Sequence, residues 1–512
     1  MAIIRGTSEN DSLSGRPDND LIFGFAGDDT IDGGSGDDLL VGGDDDDNLI
    51  GGGGVDTLDA GAGADILTGE NGDNLDGGHG NDLLVVGASE DAPTLRASGG
   101  AGDDTFVSIN ADRLPAELDL NFGLNLSGNS GDDKFVFTFG LLQASLLDGG
   151  CGNDNFAIRY VLGGVLIGGS GHDQFNIRNM RGTVLAGDGN DVISIGANQT
   201  GETLLMGDDG NDIISALAGS AVMDGGEGDD RISDGLDPLG SPSTLIGGSG
   251  NDTLISQGQD ILLGGDDSDN LESGAFSNTL TGGAGADRFS YGNLVNLDSI
   301  AADTITDFNV SAGDALDVSR LLDRVGAPTD PFAAGWLTLD VSSDSTLVLF
   351  DRDGGGDNFQ VISKLEGAIL TEADIDVECT PLPTGLGRYY LVDADTNHTL
   401  MELTSGSVLS PALFASHNLS IYAIVDTSAP AVTLTESIRL DLNNGTVTRS
   451  ENVEPFSLFG DLDGDFRGGL LLEEGQHNIR FDFYSTGDAQ GELLGSETVR
   501  FAVGWNAEPL FL

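Results

Sequence analysis

The sequence predicts an all-β protein, a solenoid of stacked parallel coils followed by an antiparallel β-sandwich. The first sign is a carboxylate every nine residues, at Asp11, Asp20, Asp29, Asp38, Asp47, Asp56 and Asp65; one eight-residue step leads to Asp73, and nine more reach Asp82. The second is the branched apolar residue two places after each: Leu13, Ile22, Ile31, Leu40, Leu49, Leu58, Leu67, Leu75 and Leu84. The third lies beyond Pro381-Leu382-Pro383, where the period gives way to short runs of alternating apolar and polar residues.

Gly33-Gly34-Ser35-Gly36-Asp37-Asp38-Leu39-Leu40-Val41 shows the unit: a glycine turn, an aspartate sixth and an apolar residue eighth. Glycine tolerates positive φ, so the turn can bend tightly and point its carbonyls inward. Two nonapeptides make one flattened coil, and coils stack at the inter-strand spacing of ~4.8 Å. Stacking superposes the sixth-position aspartates into a column of carboxylate and carbonyl oxygens. Such hard oxygens suit Ca²⁺, which takes about six to eight of them in forgiving geometry. Without the cation the column is a row of like charges that repel, so folding is expected to depend on the metal. The eighth-position residues form the dry seam between the two edges.

From residue 6 to about 90 the period is dense, and both edges are expected to carry metal. After Ser89-Glu90-Asp91-Ala92-Pro93 it returns diluted, with sixth-position aspartates at Asp104, Asp133, Asp154, Asp173, Asp191, Asp212, Asp230, Asp252, Asp269 and Asp287. Their spacing is mostly that of one full coil, so one edge is expected to lose its glycine turns while a single calcium ladder climbs the other. Leu162–Ile167 and Gly201–Met206 read as the opposite strand. Phe106, Phe135, Phe156, Phe175 and Phe289 stand at the eighth position, predicting a wider interior. The gap from 105 to 132 has room for an extra coil or a loop. About fourteen coils in all imply a rod of roughly 65–70 Å at ~4.8 Å per coil, a one-dimensional solenoid that needs caps.

Here the chain resembles the RTX family of secreted bacterial proteins, whose repeat is G-G-x-G-x-D-x-U-x. The match is close from Gly33 through Gly36 to Val41, at Gly77-Gly78-His79-Gly80-Asn81-Asp82-Leu83-Leu84-Val85 and at Gly247-Gly248-Ser249-Gly250-Asn251-Asp252-Thr253-Leu254-Ile255. The resemblance implies a right-handed parallel β-roll, calcium between its turns and export by a type I machine. Glu9 and Asp18 replace the fourth-position glycine in the first repeats, which predicts weaker metal binding there. Asp303-Thr304-Ile305-Thr306-Asp307-Phe308 and Gly313–Ser319 resemble the segment that closes β-rolls in exported RTX proteins.

The 512 residues leave room for two to four domains. The reading is 1–90, a dense roll with calcium on both edges; 91–290, a diluted roll or β-helix with one calcium edge; 291–380, a capping and secretion-type β domain; and 381–512, a sandwich. Within the cap, Asp351, Asp353 and Asp357 sit on a loop that is either a further Ca²⁺ site or a solvated acidic turn. In the sandwich, Tyr389–Val392, Leu400–Leu403, Leu419–Ile424, Ile438–Leu442, His477–Phe483 and Thr498–Val503 read as strands. The segment around Phe459–Asp465 resembles an immunoglobulin-like module of large bacterial surface proteins. Asp461, Asp463 and Asp465 have the first half of an EF-hand spacing, but position twelve is Leu472 and not Glu.

Twenty basic against 86 acidic residues give a net charge of −66, which excludes a nucleic-acid binder. Roughly 10–20 Ca²⁺ are expected, and ~15 would remove about half of the excess charge. Cys151 and Cys379 are the only cysteines; they are not expected to pair, calcium replacing disulfides as the staple. The N-terminus lacks the apolar core of a cleaved signal peptide. No stretch approaches a membrane span.

There is no H-E-x-x-H, which excludes a serralysin-like protease domain within these residues, and no G-x-S-x-G. The five histidines are scattered. The function expected is therefore non-enzymatic: a calcium-dependent extracellular structural or adhesive protein of the cell surface, matrix or a surface layer. Its partners beyond calcium are expected to be cell-surface polysaccharide or copies of itself. The alternative is a secreted polysaccharide lyase or epimerase working in a β-helix groove, for which the irregular part between 105 and 245 is the place.

Overall fold

The computed structural model describes residues 1–377, apart from 71, 88–93, 109–122, 142–144, 218–219, 236–241, 275, 292–300, 326, 328–329, 353, 355 and 357. Beyond 377 it describes the backbone of the strands between 387 and 503. The described residues fall into two compact units, one within 1–377 and the other within 387–503.

The first unit is a parallel β-solenoid. Leu21–Ala26 pairs in register with Leu39–Asp44, and that strand with Thr57–Ala62, each step eighteen residues. Thr30–Asp32, Asn48–Ile50 and Ile66–Gly69 make the second row in the same way. Two nonapeptides therefore do close one coil. Alternation along each short strand buries Ile22, Ile31, Leu40, Leu49, Leu58 and Leu67 between the two rows.

Two corners join the rows. The corner that precedes the Thr30–Asp32 row carries Asp11, Asp29, Asp47, Asp65, Asp82, Asp104, Asp133, Asp154, Asp173, Asp191, Asp212, Asp230, Asp252, Asp269 and Asp287, and we call it the continuous edge. The other carries Asp20, Asp38, Asp56 and Asp73. Fifteen aspartates on one edge mean fifteen coils, close to the fourteen expected. Across the gap from 105 to 132, Thr105–Ser108 pairs directly with Lys134–Leu141 and Leu95–Ala101 with Leu124–Ser130, so these coils are neighbours, and residues 109–122 between them lie outside the described residues.

After Asp73 the second corner changes character. The column that holds Gly51 and Gly69 continues upward as Val86, Ser108, Phe137, Ile158, Ile177 and Ile195. Apolar side chains fill the corner, and the backbone rounds it without a glycine turn. Asn155–Ser170, Gln174–Asp188 and Val192–Asp209 accordingly run as single strands of 16, 15 and 18 residues. Inside, Phe106, Phe135, Phe156 and Phe175 stack with centroids 4.7, 4.6 and 4.5 Å apart and rings within 8° of parallel. One phenylalanine per coil at the same register leaves face-to-face stacking as the only arrangement.

Asp303–Ile305 and Ala315–Asp317 extend the two rows and pair with Gln360–Glu366 and Ile375–Asp376. An antiparallel sheet of Leu337–Val341, Ser345–Phe350 and Gln360–Glu366 completes the cap. Ser319–Val325 is an α-helix and Glu372–Asp374 a single 3-10 turn, departures from the β-structure of the described residues around them. Arg288 ties cap to roll, donating to Asp317 at 2.6 Å and Asp376 at 3.2 Å.

Among the described residues the second unit has two larger sheets, besides the two-stranded pairing of Asp461–Leu462 with Asp465–Phe466. One orders His398–Glu402, Gly387–Asp393, Leu419–Val425 and Phe456–Ser457; the other orders Val408–Leu409, Leu493–Val503, Gly475–Tyr484, Ser437–Leu442 and Val447–Glu451. All pairings are antiparallel except Val408–Leu409 with Leu493–Val503. The six strands read from the sequence fall on six of these nine.

Candidate metal centre

Each sixth-position carboxylate has two unlike oxygens. Oδ1 accepts the backbone N–H of the sixth residue one coil earlier: Asp38 N–H to Asp56 at 2.7 Å, Asp47 to Asp65 at 2.7 Å, Asp82 to Asp104 at 2.8 Å, Asp212 to Asp230 at 2.8 Å. Oδ2 is buried and has no hydrogen-bond partner at Asp29, Asp38, Asp47, Asp56, Asp65, Asp82, Asp104, Asp133, Asp154, Asp173, Asp191, Asp212, Asp230, Asp252, Asp269 and Asp287. Sixteen orphaned anionic oxygens in register are costly unless something neutralises them.

The first-position glycine makes the space. A Cβ on Gly33 would stand 2.5 Å from the Gly51 carbonyl oxygen of the next coil and 2.8 Å from Asp38 Oδ2. Over each such glycine, a main-chain carbonyl and an orphaned carboxylate oxygen therefore converge. Gly77 and Gly247 play the same part for Asp82 and Asp252. The fourth-position glycines Gly36, Gly80 and Gly250 have φ of +117°, +127° and +124°, a region closed to most side chains. Among the described residues no three acidic, histidine or cysteine side chains converge. A cation here would thus be held by paired carboxylates and carbonyls, the donor set of Ca²⁺ and not of zinc.

Burial pushes the following carboxyls up, and neighbouring aspartates push the same way against the hydrogen bond to Oδ1. Asp65, Asp104, Asp173, Asp212, Asp230 and Asp269 reach about 7, Asp133 about 8, and Asp47, Asp154 and Asp252 about 6. A carboxylate this reluctant to stay charged alone is one that a divalent cation stabilises.

Three expected ligands differ. Asp11 Oδ2 takes Thr7 N–H at 2.6 Å and the Thr7 hydroxyl at 2.9 Å, Asp20 Oδ2 takes Arg16 N–H at 2.7 Å, and Asp73 Oδ2 takes Glu70 N–H at 2.7 Å. In the first two the turn lacks its fourth-position glycine, and in the third it is one residue short. In each the chain itself answers the carboxylate. Of the cap loop, Asp351 is buried and its N–H donates to the Trp336 carbonyl at 2.8 Å, while Asp353 and Asp357 lie outside the described residues. So does Asp463; Asp461 and Asp465 are in two strands of a hairpin. Cys151 is free and exposed, and Cys379 lies outside the described residues.

Two features escaped the sequence reading. The fifth-position side chains form an external ladder of opposite sense: Asn190 Oδ1 takes Asn211 N–H, Asn211 Oδ1 takes Asp229 N–H (both 3.0 Å), and His172 Nδ1 takes Asn190 N–H at 2.8 Å. Alternation of Asn and Asp at that place was the available signal. The second corner, moreover, does not stay apolar. Its sixth-position column regains polarity as Ser243, Asp260, Asn278 and Asp303, linked by Ser243 N–H to Asp260, Asp260 N–H to Asn278 and Asn278 N–H to Asp303 at 2.7–2.8 Å. Here the glycine column has become Asp234, Ser256, Ser273 and Tyr291. The Ser256 hydroxyl donates to Asp260 Oδ2 at 2.6 Å, filling the place that lies open in the glycine turns. The glycine turns expected to be lost on this edge do not return, while from Ser243 onward its sixth-position column is polar again. The surviving signal was Asp260-x-Leu262, Asn278-x-Leu280 and Asp303-x-Ile305 without glycines. Asp234 is buried beside Asp260 and Ser243, and burial, then the Asp260 charge, pushes its carboxyl up to about 9.

A parallel roll with an oxygen-lined edge in every coil defines a calcium-binding β-solenoid. Residues 5–40, 41–76 and 200–233 match the RTX calcium-binding nonapeptide repeat, and residues 243–375 match the peptidase M10 serralysin C-terminal domain. The chain thus carries RTX repeats, which bind multiple Ca²⁺, with a C-terminal region of the serralysin type, and the two together indicate type I secretion to the outside of the cell. The serralysin match is to the C-terminal domain and not to a protease domain. No curated protein matches the chain. No helix among the described residues is long and apolar enough to cross a membrane.

Proposed function

We propose that the protein is a structural or adhesive component of the cell exterior whose solenoid becomes rigid when Ca²⁺ enters its edges after export. Asp29 to Asp287 on the continuous edge, with Asp38 and Asp56 opposite, are the side chains assigned to the ions, and the glycine carbonyls supply the remaining oxygens. The observation that carries this is the ladder of orphaned, buried Oδ2 atoms. It gives the chain one conformation at extracellular calcium and makes the same conformation unfavourable without it. The repeat occupies the first 290 residues almost wholly with scaffold, which favours a displaying or lattice-forming role over catalysis.

The test starts from protein stripped with EGTA. Calcium addition is expected to raise the β signal in circular dichroism cooperatively, and electron microscopy of the loaded protein then separates lattice or fibre from monomer. A compact, β-rich chain in excess EGTA at pH 8 would overturn the reading. Turnover of a uronate polymer by the loaded protein would replace it with the lyase or epimerase alternative.

A further inference from the structure

The charge of the solenoid reverses at one place. Residues 155–187 contain three arginines, Arg159, Arg178 and Arg181, and one acid, Asp173, in a chain with 20 basic and 86 acidic residues. Asp173 is buried in the continuous edge. The arginines lie on the second corner, between the Phe156 and Leu166 halves of their coils, where the glycine turns have been replaced by continuous strand. Because Ile158 pairs with Ile177 and Tyr160 with Asn179, Arg159 and Arg178 stand side by side on adjacent coils. Arg181 pairs with Leu162, which is 36% exposed.

Arg159 and Arg181 are exposed and Arg178 is half-buried. None of the three forms an ion pair among the described residues; Arg159 rests over the Tyr160 ring at 5.3 Å. Register shifts at Leu162/Gly164 and Met180/Gly182 kink the strands beside them, the kind of bulge that re-aims side chains out of a sheet. Guanidinium groups are the donors that best match carboxylates, in planar two-point contact. In an otherwise acidic solenoid, arginines held on neighbouring coils without an ion pair among the described residues match anions in charge and geometry.

We propose that this corner binds the carboxylates of an acidic polysaccharide, a chain of uronic acid units. Arg159 and Arg178, at the coil spacing of ~4.8 Å, take carboxylates along the polymer, Arg181 adds a third contact, and Tyr160 with Leu162 offers apolar surface to the sugar faces. A membrane or a duplex nucleic acid presents a broad anionic surface that meets the acidic coils on either side. A narrow chain with isolated carboxylates fits a patch two coils deep. The inference deepens the adhesive reading by naming its partner.

The experiment uses the calcium-loaded full chain and an oligogalacturonate as probe, followed by calorimetry. Binding that weakens with salt is expected, with none for a neutral oligosaccharide of the same length. Arg178→Gln is expected to lower affinity about tenfold, the size of one charge-assisted hydrogen bond, and Arg159→Gln with Arg178→Gln to abolish binding. Circular dichroism and the calcium isotherm of each variant, expected unchanged, separate this result from failure of the calcium reading. Equal affinity for the neutral sugar, or full affinity in the double variant, overturns the proposal. So does an effect of these arginines on calcium-dependent self-association without oligogalacturonate binding.

Discussion

Asp38 donates its backbone N–H to Oδ1 of Asp56, eighteen residues on, at 2.7 Å, while Oδ2 of the same Asp56 is buried without a partner. One carboxylate thus fastens two coils with one oxygen and holds the other for a cation. Repeated up the solenoid, that division couples coil stacking to metal binding.

It makes the metal-free roll sensitive to pH. Asp65, Asp104, Asp173, Asp212, Asp230 and Asp269 titrate at about 7 in the folded roll against an ordinary 3.8. The folded state therefore holds more protons than the unfolded chain between those values, and stability falls as pH rises through that window. In EGTA, the β signal is expected to be greatest near pH 4 and to be lost by about pH 8. Calcium at pH 7 to 8 restores it. A β signal in EGTA that grows with pH contradicts the assignment.

Removing single ligands distinguishes the two kinds of aspartate. Asp56→Asn keeps the Oδ1 acceptor but removes the charge, and is expected to lower the calcium count by one or two. Coils several steps away should remain loaded, since coupling in a solenoid is to nearest neighbours. Asp11→Asn, whose Oδ2 is already taken by Thr7, is expected to leave the count unchanged. Calorimetric titration of both variants checks the contrast.

Backbone geometry at the turn gives a third expectation. Gly36 has φ +117°, and a Cβ there would lie 2.6 Å from the Asp18 carbonyl carbon one coil back. Gly36→Ala should destabilise the calcium-loaded roll by ~1–3 kcal/mol, read by urea denaturation at saturating calcium.

The polar end of the second corner should respond differently from the calcium edge. Ser256→Ala removes the hydroxyl that donates to Asp260 Oδ2 at 2.6 Å and leaves that oxygen only the Gly258 N–H at 3.1 Å; losing a hydrogen bond to a buried carboxyl costs about 1–3 kcal/mol. Stability is expected to fall by that order while the number of bound calcium ions stays the same. A lower calcium count in this variant would place an ion at Asp260.

In the stack, Phe135 lies between Phe106 and Phe156. Phe135→Ala is expected to cost ~3–5 kcal/mol, with hydrogen exchange rising first in the coils on either side.

The nine-residue spacing by itself determined the parallel coils, the inward row from Leu13 to Leu84, the carboxylate column and its taste for calcium. Each of these follows from one residue type returning at one register, which chain geometry turns directly into a neighbour. Only the tertiary structure decided which oxygens are left over. The turns of Asp11, Asp20 and Asp73 depart from the repeat in the sequence, through Glu9, Asp18 and an eight-residue step, but which N–H then satisfies each carboxylate is set by the shape of the individual turn. The same holds for Ser256 facing Asp260 and for Arg159 beside Arg178. Arg159 and Arg178 meet across coils of unequal length, where counting residues no longer predicts contact and hydrogen bonding between stacked strands fixes the register instead; Ser256 and Asp260 meet within one turn whose shape the repeat does not set.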